Sequence, residues 1–277
     1  MTAINTNVKS LVAQQSLAVN NRNLSKAMAQ LATGKRVNSA ADDAAGLAIG
    51  NKMTAQVRGM QQAVRNANDA ISMVQTAEGA LGEVTNMLQR MRELAVQSVN
   101  GTNSDADRVA LDTEYDQLTQ EIARISDKTT WNGYDLMGDG ASATSGATNF
   151  QMGPAASDTV TFTFQDLSQV GGIATVSAGG LTTQDTASAA IANIDNAISA
   201  LDTYRGSIGA MVNRLTYAAD NLTNVANNTA ASRSRIVDTD YATATTELAR
   251  TQIIQQAATA MLAQANQSPA SVLSLLQ

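Results

Sequence analysis

Apolar residues recur at alternating steps of four and three along much of this chain. Between Thr186 and Ile236 they fall at Ala187, Ile191, Ile194, Ile198, Leu201, Ile208, Val212, Leu215, Ala219, Leu222, Ala226 and Ile236. Arg205, Thr229 and Arg233 fill the remaining seam positions without changing the phase. A heptad register held this long predicts one coiled-coil helix. Its length of roughly 75 Å exceeds any ordinary globular helix, so it needs partner helices of similar length.

Two such partners are written upstream. Val57, Met60, Val64, Ala67, Ile71, Val74, Leu81, Leu88 and Met91 hold a seam to about Val99, across Gly79 and Gly82. Ser39, with Asp42 three residues on and Asp43 after it, predicts a capping box at the start of this helix. Asn100-Gly101 marks a turn. Ser104 with Asp107 caps a second helix, striped by Leu111, Tyr115, Leu118, Ile122 and Ile125. Asn132-Gly133 is a tight-turn signal.

From residue 138 to 185 the helical period is absent. There Val160, Phe162 and Phe164 alternate with threonines after Phe150, Met152 and Gly153-Pro154, which predicts a β-hairpin. The two ends of the chain are helical again. Ile4, Val8 and Leu11, then after a phase slip Leu17, Leu24, Met28 and Leu31, precede Gly34 as a C-terminal stop. Asp238-Thr-Asp240 marks a break, after which Tyr241, Ala244, Leu248, Thr251, Ile254, Ala258, Met261 and Ala265 step by three and four. Ser268-Pro269 predicts a restart that carries Val272 and Leu275. The expected fold is mainly α: a long antiparallel helical bundle with paired terminal helices and a small β-hairpin region. Its expected domains are 1–39 with 237–277, 40–137 with 186–236, and a variable stretch 138–185.

Composition narrows the function. Aromatics make up 3% and charged residues 15% of 277 residues, which suits thin helical seams and surfaces that meet protein. A net charge of −6 disfavours nucleic acid and anionic lipid as partners. No apolar run is long enough to span a membrane, and the N-terminus shows no secretory signal pattern. The chain has neither Cys nor His, which removes thiol chemistry, zinc ligation by these residues and the commonest general base. There is no Gly-rich phosphate loop and no Gly-x-Ser-x-Gly elbow, so the reading is of a non-enzyme with no cofactor or metal. The terminal stripes are narrow and set among Asn, Gln and Ser, so these ends are expected to order against neighbouring copies. Heterologous contacts of that kind run on into open fibres. A self-contained four-helix bundle is the other reading of the pattern.

Several stretches resemble bacterial flagellin: Ile4-Asn-Thr-Asn7, Asn38–Ile49, Gln89-Arg-Met-Arg-Glu-Leu-Ala-Val-Gln97, Trp131-Asn-Gly133, Ser234–Ala242 and Gln264–Leu276. They occur in order over about 1–137 and 186–277. The resemblance implies a short subunit of the flagellar filament, extracellular, exported unfolded by the type III apparatus. It implies terminal helices that form the inner tube, with Ile4, Val8, Leu11, Leu17, Leu24, Met28, Leu31, Leu248, Ile254, Met261, Val272 and Leu275 as assembly residues. It further implies an export chaperone on 240–277, hook-associated and cap proteins at the filament ends, and an innate immune receptor at Gln89, Arg90, Arg92, Glu93, Leu94, Gln97 and Glu114. Leu94 is expected as an exposed apolar knob ringed by Arg90, Glu93 and Gln97. The same face is also a candidate contact with the next subunit. Trp131 departs from the Phe usual before Asn-Gly. A hook–filament junction protein and a secreted helical host-binding protein are the competing identities.

Overall fold

A computed structural model describes the backbone of residues 6–138 and 147–273, with side chains as far as residue 267. The elements are α1 (Val8–Thr33), α2 (Ala44–Val99), α3 (Asp105–Lys128), β1 (Thr130–Trp131), β2 (Tyr134–Asp135), β3 (Ala147–Gln151) and β4 (Thr159–Thr163). A 3₁₀ turn (Leu167–Gln169), the short α4 (Ile173–Ser177), α5 (Gln184–Val237) and α6 (Tyr241–Leu273) follow. The chain forms two compact units, Met1–Val57 with Asn227–Gln277, and Arg58–Ala226. The long helices α2 and α5 run through both.

In the second unit α2 and α5 lie antiparallel: Arg92 pairs with Asp195, and farther along α2 the Ser98 hydroxyl donates to the carbonyl of Leu181, just ahead of α5. The seam of α5 keeps the expected phase at Ala187, Ile194, Leu201, Ile208, Leu215 and Ala219. Its alternate positions are shifted by one residue. Ala190, Ala197, Tyr204 and Met211 are buried, whereas Ile191, Ile198 and Val212 sit half-buried beside them. On α2 the same shift selects Ala63, Ala70 and Ala77 over Val64 and Ile71. At Ala190, Ala197, Ala63 and Ala70 the small side chain takes the buried position and the β-branched neighbour the flank, whereas Tyr204 and Met211 fill the corresponding positions farther along α5. Close packing, rather than side-chain hydrophobicity, decides which of two adjacent apolar residues turns inward.

The α3 helix begins as expected. Ser104 accepts from the Asp107 N–H, and the Asp107 carboxylate returns the bond to the Ser104 N–H at 3.0 Å. Arg108, buried, donates from Nε to the Ser98 carbonyl at 3.0 Å and so caps the end of α2. The start of α2 differs from expectation. Residues 39–42 form a turn, and Asp43 is the capping residue, its Oδ1 accepting from Gly46 N–H at 2.8 Å. Asp42 instead bonds back to the Ser39 N–H and hydroxyl and pairs with Lys26 at 3.1 Å. Only the backward half of the expected box exists, because the acidic pair offers two candidate caps and the chain uses the later one.

The β3–β4 hairpin forms in the expected place, with Phe150 opposite Val160. Phe150, Val160 and Phe162 pack with Met152 on Ala67, Ala70, Met211 and Leu215. The stretch beyond it is not without helix. The 3₁₀ turn and α4 place Leu167, Val170, Ile173 and Val176 against the main core, and the buried Tyr115 hydroxyl donates to the Val176 carbonyl at 3.0 Å. Elements of three to five residues complete no periodic stripe, so no pattern announced them.

Candidate functional site

In the first unit α1 and α6 pack along their lengths. Asn7 accepts from the Ser10 N–H to cap α1, and Gly34, at φ 68°, ends it. Asp240 caps α6 by accepting from the Ala242 N–H. A short bridge ties the two ends together: Lys35 pairs with Asp238, Arg36 N–H donates to the Val237 carbonyl, and Thr239 N–H donates to the Gly34 carbonyl. The helix break expected at Asp238-Thr-Asp240 is therefore part of this bridge.

The seam between α1 and α6 is small and polar. Ser10, Asn20 and Ala27 are buried on α1, facing Ala244 and Thr251 on α6. Asn20 Nδ2 donates to the Thr251 carbonyl at 2.8 Å, and Asn7 Nδ2 to the Ala265 carbonyl at 2.8 Å. The second bond explains a departure from expectation. The helix does not restart at Ser268-Pro269 but runs on to Leu273. Pro269 has no N–H to offer the carbonyl four residues back, which is that of Ala265. The amide of Asn7 supplies the missing donor.

Several large apolar side chains of the pair turn away from this seam, and others lie along its flank. Among the residues expected to drive assembly, Leu17, Leu24, Leu31 and Leu248 lie half-buried on it. Val8 (60% exposed), Leu11, Met28, Ile254 and Met261 (65%) face outward. Ile4 and Leu275 lie outside the described residues, as does the side chain of Val272. Val12, Val19 and Ile253 are exposed too and were not singled out. Val8, Leu11, Val12 and Val19 share one face of α1, nearly opposite the seam. The phase slip between Leu11 and Leu17 was the sign of two stripes on one helix. Val8, Val12, Ala13, Met261 and Ala265 line an apolar groove of 620 Å³ along the pair.

The Gln89–Gln97 stretch lies on the outer face of α2. Arg90 Nε meets Glu114 at 3.0 Å and its Nη1 meets Glu93 at 2.9 Å, which raises the guanidinium above its ordinary value. Arg92 Nε meets Asp195 at 2.6 Å, and that hydrogen bond lowers the Asp195 carboxyl. All are exposed, so each pair contributes little to stability. Gln89, Arg92, Glu93, Val96 and Gln97 line a shallow depression. Leu94 is not the knob of this surface. It is 1% exposed and belongs to the core with Leu88, Met91 and Ala95. Positions 84, 88, 91 and 94–95 fall on one helical face, and that face already points at α5. The exposed apolar side chain here is Val96 (51%).

Among the described residues no group of His, Cys, Asp and Glu is placed to hold a metal, and no helix is long and apolar enough to cross a membrane. The molecule is defined by helix-to-helix packing and by apolar surface on its terminal pair. Residues 4–142 match the bacterial flagellin N-terminal helical region, and 191–276 match the bacterial flagellin C-terminal helical region. A flagellin of Halalkalibacterium halodurans is 45% identical over 276 residues, covering 99% of each chain. Flagellin A of Vibrio anguillarum is 36% identical over 375 aligned positions, against 277 residues here, again covering 99% of each. The crystal structure of Bacillus cereus flagellin covers 61% of this chain and 94% of its own, with a TM-score of 0.52 and 36% identity. A putative flagellar hook-associated protein from Vibrio parahaemolyticus shares the fold, at TM-score 0.58 and 17% identity over 71% of this chain. The chain belongs to the bacterial flagellin family and is a short member of it. It is a structural subunit of the flagellar filament, not an enzyme.

Proposed function

We propose that copies of this chain join through the outward faces of α1 and α6, so that 1–39 with 237–277 builds the inner tube of the filament. The observation that carries this is the partial inversion of the terminal pair: its fully buried seam residues are small or polar, with leucines only half-buried beside them, while Val8, Leu11, Val12, Ile253 and Met261 stand in solvent. Surfaces of that kind are stabilised when a partner covers them, and heterologous contacts between like copies propagate into an open helix. The bundle 40–137 with 186–236, whose core lies within the unit Arg58–Ala226, is then the outer tube, and 138–185 takes the place of the variable region.

The same reading gives the other partners. The chain leaves the cell unfolded through the flagellar type III apparatus, with an export chaperone holding 240–277 over the apolar side of α6. Hook-associated and cap proteins meet the polymer at its two ends. An innate immune receptor reads Gln89, Arg90, Arg92, Glu93, Gln97 and Glu114, with Val96 rather than Leu94 as the apolar contact. The assembly is tested with versions lacking 1–33 or 240–277, examined by electron microscopy after seeding. Both are expected to keep a folded bundle by circular dichroism and to form no filament. Filaments from both would refute the assignment.

A further inference from the structure

The two Asn-Gly pairs of the chain, Asn100-Gly101 and Asn132-Gly133, both lie in exposed turns. We infer that the first is a self-modifying site, at which Asn100 loses ammonia and becomes isoaspartate. The step needs only water and hydroxide. Gly101 N gives its proton to hydroxide and bonds to Cγ of Asn100. The Cγ–Nδ2 bond breaks, and ammonia leaves with a proton taken from water. A second water opens the succinimide ring. Attack at the backbone carbonyl carbon of residue 100 yields isoaspartate, and attack at Cγ yields aspartate.

The turn between α2 and α3 favours this chemistry at both reacting groups. Thr102 N–H donates to Asn100 Oδ1 at 3.4 Å. That bond folds the side chain back over its own turn and polarises the carbonyl under attack. When Gly101 N loses its proton, the charge spreads onto the Asn100 backbone oxygen. This oxygen accepts from Asn103 N–H at 3.2 Å and from Arg108 Nη2 at 3.3 Å. The negative end of the α2 dipole opposes the charge with about half a unit, whereas the buried Arg108 brings a whole one. Asp105 lies 3.8 Å from Arg108 but is 98% exposed, so solvent screens it. Gly101 N–H donates to no group among the described residues, and the space around Gly101 is open. Isoaspartate carries its carboxylate on the carbon whose oxygen Arg108 already holds.

The other pairs lack this arrangement. Asn132 sits at φ 48° in a turn closed by the Trp131–Tyr134 pairing. Among the described residues no Lys or Arg lines the cleft beside it. In the two Asn-Ser pairs the N–H of Ser39 is held by Asp42 and that of Ser104 by Asp107. A carboxylate acceptor keeps the proton on the nitrogen.

The full-length monomer is aged at mildly alkaline pH, folded and in guanidinium chloride, and peptide mass mapping follows both Asn-Gly pairs. Methyl transfer by an isoaspartyl methyltransferase separates isoaspartate from aspartate. In denaturant the two pairs are expected to react alike. In the folded protein Asn100 should keep that rate or exceed it, with a larger share of isoaspartate. Asn132 should fall about tenfold behind, for want of a bond from a charged donor. Gly101→Ala, which the open space tolerates, should suppress the reaction at 100 alone. Arg108→Gln should slow it about tenfold and lower the isoaspartate share, and Arg108→Lys should restore part of both. Circular dichroism confirms folding, and if the Arg108 variants do not fold, the comparison of folded with denatured parent decides. Asn132 as fast as Asn100 in the folded protein, or Asn100 slower there than in denaturant, would overturn the proposal. So would an unchanged rate in folded Arg108→Gln.

Discussion

Replacing Leu11 and Met261 by Gln tests the terminal pair directly. Both side chains are exposed, Leu11 at 55% and Met261 at 65%, so the free subunit loses almost nothing. Gln has much the same helix propensity as Leu and Met, and exposed substitutions stay within about 0.5 kcal/mol. In a polymer that covers them the change is large. Fully burying a Leu or Met side chain contributes ~1.5–3 kcal/mol, and rather more than half of each remains to be covered, so each supplies about 1–2 kcal/mol on assembly. Together the pair supplies about 2–4 kcal/mol, which raises the critical concentration roughly 30- to 1,000-fold, since each ~1.4 kcal/mol is tenfold. The assay is seeded polymerisation at a series of protein concentrations, with the supernatant measured after sedimentation. A melting curve of the unpolymerised double variant is recorded beside it. A critical concentration unchanged from the parent, with an unchanged melt, would show that these faces stay wet in the filament.

Leu94→Ala is expected to lower stability by about 2–5 kcal/mol, as a truncation inside a packed core, whereas Val96→Ala should stay within about 0.5 kcal/mol; denaturant unfolding separates them. Any loss of receptor binding in a Leu94 variant therefore needs this control. Tyr115→Phe removes the donor to the Val176 carbonyl and should cost about 0.5–1.5 kcal/mol, with hydrogen exchange faster in α4 than elsewhere. The buried Tyr115 hydroxyl, pushed up to about 12 first by burial and then by Asp112 and Asp116, should show no ionisation in the folded protein at mildly alkaline pH, by ultraviolet absorbance. The Asp42 carboxyl is lowered in the folded state, first by its bond with Lys26 and then by Ser39. A lowered folded value contributes stability above the unfolded value of 3.8 and loses it as pH falls through the folded one. Asp42→Asn should thus melt below the parent at neutral pH, and the gap should close in acid below 3.8.

Much of this architecture is legible because seams are periodic. Ile194, Leu201, Ile208 and Leu215 on α5 fall where the four-three spacing puts them, and so does the Ser104–Asp107 cap. The losses have physical causes. Periodicity fixes a face only to within about one residue, so Ile191 and Ala190 could not be ranked until the closeness of α2 was known. Leu94 fits two faces of α2, one apolar and one charged, and only the direction of α5 decides between them. In α1 two apolar stripes share one helix, and a single-stripe reading merges Leu11 with Leu17 though one is exposed and the other lies half-buried on the seam. The proline at 269 looks like a stop because its cost is local, whereas its compensation comes from Asn7, at the far end of the chain.

That compensation gives the terminal pair a mechanical character. Its register is held by two amides, Asn7 and Asn20, each seated on one carbonyl of α6. Between them Ser10 is buried and Leu17 lies half-buried beside it. A slip by one helical turn, about 5.4 Å, would release both amides together, unseat the half-buried leucines and pull apart the bridge between Lys35 and Asp238. The two amides alone account for roughly 1–3 kcal/mol, two ordinary hydrogen bonds, and the backbone bonds of Arg36 and Thr239 in the bridge add to that. The α1–α6 pair is therefore a latched rod, its register pinned by Asn7 toward one end and by the Lys35–Asp238 bridge at the other.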